Sequence, residues 1–131
     1  MTAVIFFIGE TPHTTNRWPT LLRAMDGVTC HPVKNAYTSD GVIEKVLTLY
    51  PDHTPVYVVV DKAAQGATLL DDYQHPEKAV YVFGPDHGEI VPPEDAERVT
   101  IFMSPSRRSL FSDQAGAMVL FHRRMQRGDW T

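Results

Sequence analysis

Five consecutive residues, Val56-Tyr-Val-Val-Val60, hold four valines and a tyrosine and no charged side chain. A strand with one wet face alternates apolar and polar positions, whereas an unbroken β-branched run is typical of a strand covered on both faces. Such a strand sits inside a sheet that carries helices on either side, the usual setting of a parallel α/β sheet.

The rest of the chain fits that frame. Ala3–Ile8, Val28–Val33, Ala79–Phe83 and Arg98–Met103 read as further strands. Trp18–Met25 reads as a helix, with Pro19 in its first turn and Asn16 as a candidate cap. Ser39–Tyr50 carries Val42, Val46, Leu47 and Leu49 at helical spacing and stops before Pro51. Ser109–Gln126 is the last and longest helical pattern, and Asp71-Asp72 marks a polar turn. The order β-α-β-α-β, then strands, then a helix, predicts one α/β domain over residues 1–131 with a mainly parallel sheet flanked by helices.

From Ala115 to Phe121 that last helix is almost wholly apolar or small. A helix apolar around most of its circumference needs cover on more than one side. In a domain this small the sheet covers one side, and a partner subunit is the expected cover for the other.

Charge is polarised. The formal net charge is −4, which argues mildly against nonspecific nucleic-acid binding. Yet from Arg107 to Arg127 the arginines Arg107, Arg108, Arg123, Arg124 and Arg127 stand against Asp113 alone, a segment able to meet phosphates or simply to suit the end of a helix dipole. Cys30 is the only cysteine, which excludes an intrachain disulfide and points to a reducing, cytoplasmic setting. The apolar start is too short for a membrane helix, so no membrane association is expected. The six histidines show no His-x-x-x-His spacing, and no metal site is expected.

Two segments carry chemistry. Ala79-Val-Tyr-Val-Phe-Gly-Pro-Asp-His-Gly88 runs from a buried strand into Gly84-Pro85 and an acidic residue. Taken alone this is an ordinary turn, although a glycine at a strand's carboxyl end also lets a ligand approach the backbone. Val99 to Ala115 leads from a strand through a loop of serines and arginines directly into the apolar helix.

Together, in this order and spacing, the two segments resemble the SPOUT superfamily, in particular its TrmH/TrmL-like RNA 2′-O-ribose methyltransferases. The matching residues are Phe83-Gly-Pro-Asp86, Ile101-Phe-Met103, Pro105, Arg108-Ser-Leu110 and Phe111, with Leu21 to Gly27 similar to the family's first motif. The resemblance implies a SPOUT-type α/β knot with a C-terminal trefoil knot, S-adenosylmethionine bound in the knot loops, and a homodimer with its active site near the subunit interface. It carries the cofactor contacts onto Val59, Phe83, Gly84, Ile101, Ser109 and Leu110. Adenine wants an apolar slot and backbone hydrogen bonds, so side-chain identity there is only loosely fixed.

The same resemblance makes Arg23 the catalytic residue. Its role would be to bind the phosphate beside the target ribose and to favour the deprotonated 2′-hydroxyl, a task for which a guanidinium is suited. Asn16 and Arg108 are the implied substrate-binding residues, and a tRNA or rRNA is the implied substrate. Departures from the family pattern bear on catalysis. Asp86 replaces a glutamate, Gly88 comes one position early, Phe111 replaces an asparagine that bonds within the site, and Asn16 lies one residue farther from Arg23. A noncatalytic SPOUT-fold protein that binds RNA or a partner is therefore an alternative, and a flavodoxin-like domain with a coincidental match is another.

Overall fold

The computed structural model describes residues 4–9, 28–33, 48–59, 66–83, 92–101 and 112–128. These hold six strands, β1 (Val4–Gly9), β2 (Thr29–Val33), β3 (Thr54–Val58), β4 (Thr68–Leu69), β5 (Ala79–Phe83) and β6 (Glu97–Thr100), and a helix α1 (Ser112–Arg127). A single 3₁₀ turn over Leu70–Asp72 occupies the expected acidic turn. Thr48 and Leu49 are helical, the described end of the segment expected to be a helix before Pro51.

The strands form one six-stranded sheet in the order β2-β1-β5-β3-β6-β4. All described pairings are parallel, so the α/β character expected from the valine run is present. That run lies next to the centre of the sheet, between β5 and β6. Val56 and Tyr57 are buried on opposite faces of β3, and all five residues of β5 are buried. Alternation along β5 assigns Ala79, Tyr81 and Phe83 to one face and Val80 and Val82 to the other. Both faces are therefore covered.

The first of these faces carries α1. Its Ala115, Val119 and Leu120 share one core cluster with Val56, Ala79, Tyr81, Phe83 and Val99. Their spacing, with Arg123 one turn further on, makes a single helical stripe. Asp113 in the first turn and Arg124 and Arg127 in the last suit the helix dipole. Gly128 then ends the helix. Its φ of +89° lies in the left-handed region, and its N–H returns to the Arg124 carbonyl at 2.8 Å.

α1 follows the carboxyl end of β6, and by Arg123 it has reached Pro76 and Glu77, just before the amino end of β5. It therefore runs antiparallel to the strands, with its N-terminus toward their carboxyl ends. The expected helix Trp18–Met25 and the two loops whose threading would define a knot, 84–91 and 102–111, lie outside the described residues.

Candidate functional site

Strand register places the expected cofactor positions along one edge. Val58 stands opposite Phe83 on one side and Val99 on the other. Val59 follows directly, and its N–H donates to the Val99 carbonyl at 2.9 Å, which carries the sheet bonding one residue past the end of β3. Ile101 lies two residues beyond Val99. Val59, Phe83 and Ile101, drawn from three separate stretches of sequence, thus lie near the carboxyl ends of three adjacent parallel strands, staggered by about a residue each, with Val59 on the face opposite Phe83. At ~4.8 Å per strand spacing this row spans about 10 Å.

The side chains at this edge are apolar. Val59 and Phe83 are buried, while Ile101 is half-buried against the core. Of the three, Ile101 alone is part-exposed. The edge also borders a topological switch point. The chain leaves β1 toward β2 on one side and leaves β5 toward β6 on the other, while β1 and β5 are neighbours with Ile8 opposite Phe83. In open α/β sheets ligands bind outside the carboxyl ends of strands where the order reverses in this way.

Asn16, Arg23, Gly84, Arg108, Ser109 and Leu110 lie outside the described residues, as do Asp86 and Phe111. A groove of about 420 Å³ lies elsewhere, lined by Thr68 and Tyr73 with Glu94, Glu97 and Arg98 around the amino end of β6. None of the expected site residues lines it. Its carboxylates suit neither phosphate nor RNA, and its one guanidinium donates to the Pro93 carbonyl at 2.9 Å.

One part of the expected basic segment is corrected. Arg123 is not on the surface beside Arg124 and Arg127 but is 0% exposed. Its Nη1 donates to the Pro76 carbonyl at 2.6 Å and to the Tyr81 hydroxyl at 3.1 Å, and its Nη2 donates to the Glu77 carbonyl at 2.6 Å. The loop before β5 turns two carbonyls inward with no strand partner, and the guanidinium fork satisfies them. Arg123 is thus a cross-brace between α1 and β5 rather than a phosphate ligand.

Around it lies a polar network that sequence reading missed. His75 Nδ1 lies 2.7 Å from the Tyr81 hydroxyl, and its Nε2 lies 2.8 Å from Nδ1 of His122. The Gln126 side chain accepts from the His75 backbone N–H and donates to the Tyr73 carbonyl, both at 2.7 Å. The Tyr73 hydroxyl donates to Glu97 Oε1 at 2.9 Å. Burial holds the His75 imidazole neutral, lowering its pKa to about 4, with the charges of His122, Arg123 and Arg127 acting in the same direction. Burial pushes the Tyr81 phenol up, and burial together with the Glu97 carboxylate does the same for Tyr73. The signal in the sequence was His122-Arg123, two polar residues continuing the apolar run of α1. Their partners lie some 47 positions away, beyond the reach of any local spacing rule.

No protein-family model matches the sequence, and no curated protein matches it.

Proposed function

We propose that this chain is a SPOUT-type, S-adenosylmethionine-dependent RNA methyltransferase, acting on the ribose 2′-hydroxyl of a tRNA or rRNA as a cytoplasmic homodimer. The observation that carries the reading is the row of Val59, Phe83 and Ile101 at the carboxyl edge of β3, β5 and β6. The motif resemblance assigns these three positions to one pocket, and register brings them together. The cofactor pocket would be completed by Gly84, Ser109 and Leu110, in the loops that the family resemblance ties into a trefoil knot.

The cofactor, when bound, supplies an electrophilic methyl group on a sulfonium. The chain's own residues hold the acceptor in line with it, and most of the rate enhancement comes from that positioning. Arg23 binds the phosphate beside the target ribose and favours loss of the 2′-hydroxyl proton. Asn16 and Arg108 orient the RNA. The N-terminus of α1 points toward the same edge, so its dipole favours anionic groups arriving there.

The homodimer is supported by α1. Phe121 and Met125 are 59% and 71% exposed, so the apolar helix keeps an uncovered side after the sheet has covered the other. Among the described residues no helix is long and apolar enough to cross a membrane.

Isothermal calorimetry with S-adenosylmethionine tests the cofactor, and absence of binding at millimolar ligand sinks the enzyme reading. Arg23→Ala should keep cofactor binding and lose methyl transfer to RNA. Unchanged turnover would refute the role of Arg23. A second reading, a noncatalytic SPOUT-fold protein that binds RNA or a partner, is favoured by Phe111 in place of the family's asparagine. Cofactor binding with no methylation of bulk RNA would select it.

A further inference from the structure

The network between α1 and the segment before β5 has a defined proton order. Arg123 can only donate, so the Tyr81 oxygen accepts from it at 3.1 Å. The phenol's own proton is then free to go to His75 Nδ1 at 2.7 Å. A neutral His75 that accepts at Nδ1 carries its proton at Nε2 and donates it to His122 Nδ1 at 2.8 Å. His122 in turn carries its proton at Nε2, facing the Asp71 carbonyl at 3.4 Å. From the Tyr81 hydroxyl outward these contacts give one proton to each step, and the order runs one way from a buried guanidinium to the surface.

This order has no room for another proton. Protonating His122 at Nδ1 sets two N–H groups against each other. Relief by moving the His75 proton to Nδ1 would aim a second N–H at the Tyr81 oxygen that already accepts from Arg123. Protonating His75 instead puts a second cation beside Arg123. Among the described residues the groups facing the pair offer no compensation. From α1 come Arg123, Gln126 and Arg127. From the segment before β5 come Asp71, Asp72, Tyr73 and Glu77, of which the three acidic residues are exposed. From β5 comes Tyr81. From β6 comes Glu97, whose carboxylate is engaged by the Tyr73 hydroxyl. Among the described residues neither imidazole bonds a carboxylate.

We propose that His75 and His122 form an acid-sensitive latch, which fastens the last turns of α1 to the segment before β5 while both rings are neutral and releases those turns when the pair takes up a proton. The latch reaches the Gln126 clamp as well. Gln126 holds the backbone on both sides of Gln74, so displacement of the His75 ring loosens the same turn from the other side. The lowered pKa of His75 agrees with a geometry that excludes the proton.

Amide hydrogen exchange at pH 7.5 and pH 5.5, corrected for the chemical rate, tests this. In the wild type, protection of residues 119–127 and 71–78 should fall by roughly tenfold or more on acidification, while β1 and β5 keep theirs. His122→Gln cannot be protonated, yet its amide can accept from His75 and donate to Asp71. It should make that response smaller without abolishing it, because the buried His75 ring still excludes the proton. Because each protein is compared with itself across pH, a general loss of stability in the variant does not mimic the result. Nitrogen-15 spectra of the wild-type imidazoles form the second arm, with both rings expected as Nε2–H tautomers at pH 7.5. Equal pH responses in wild type and His122→Gln would overturn the latch. So would independent titration of both rings at ordinary histidine values with no change in α1.

Discussion

Arg123 on α1 donates to the Tyr81 hydroxyl on β5 at 3.1 Å, joining residues 42 positions apart in a fully buried contact. The same guanidinium holds the Pro76 and Glu77 carbonyls. Among the described residues its partners are two carbonyls and a phenol, so the charge is stabilised by oriented dipoles rather than by a carboxylate. Hydrogen bonds to a charged group contribute about 1.5–3 kcal/mol each, and orphaning buried carbonyls costs about as much. Arg123→Met preserves much of the volume and removes all three bonds. Urea unfolding should show a loss of about 3 kcal/mol, and a loss below about 1 kcal/mol would mean that water replaces the guanidinium at little cost.

His75 gives stability a pH dependence of definite sign. Its folded pKa of about 4 lies below the ordinary histidine value of 6.5. The unfolded chain therefore binds the proton more readily than the folded one. The contribution is complete above about pH 6.5 and is lost as pH falls from there toward 4, below which both states are protonated. After discounting for solvent screening, it should amount to about 2 kcal/mol. Denaturant midpoints between pH 7.5 and 4.5 should fall in the wild type, and the fall should be shallower in His75→Gln. Matching slopes in the two proteins would remove His75 as the cause.

The end of α1 depends on backbone conformation rather than on packing. A methyl group built on Gly128 meets nothing within 4 Å, but the residue sits at φ +89°. Gly128→Ala should therefore cost about 1 kcal/mol through left-handed strain alone, and Gly128→Asn less. Exchange protection at the Gly128 amide, which closes the last turn on Arg124, should fall in the same order. An alanine variant as stable as the wild type would show that the helix end frays at no cost.

How far the sequence revealed the fold depended on how local each determinant is. Ala79–Phe83 emerged with the expected limits because a fully apolar run is bounded by Lys78 and Gly84. β3 begins two residues before the valine run, at Thr54. Pro55 is opposite Val80 near the strand's start, where a missing N–H is tolerated. β6 was expected over Arg98–Met103; it begins one residue earlier and its described span is Glu97–Thr100, while positions 102 and 103 lie outside the described residues. β4 has two residues, too few for any period, and went unrecognised. The placing of Val59, Phe83 and Ile101 at neighbouring strand ends agrees with the motif resemblance that singled them out, whereas Arg123 was misread as surface charge because its carbonyl partners are distant in sequence.

The uncovered side of α1 yields the sharpest test of assembly. Phe121 and Met125 are one turn apart on the helix, with exposed Ala117 one turn earlier and half-buried Met118 beside them. They lie away from the stripe of Ala115, Val119 and Leu120 that faces the sheet. Aromatic residues at the centre of an interface commonly contribute 2 kcal/mol or more to binding. If a second copy covers this side, Phe121→Glu should weaken dimerisation by about 30-fold or more without unfolding the monomer, because the side chain is already exposed in the isolated chain. Sedimentation equilibrium of wild type and variant, with circular dichroism to verify the fold, provides the measurement. A wild-type monomer, or a variant that dimerises equally well, would reject this face as the subunit contact. It would leave the row of Val59, Phe83 and Ile101 untouched, since that row is built within one chain.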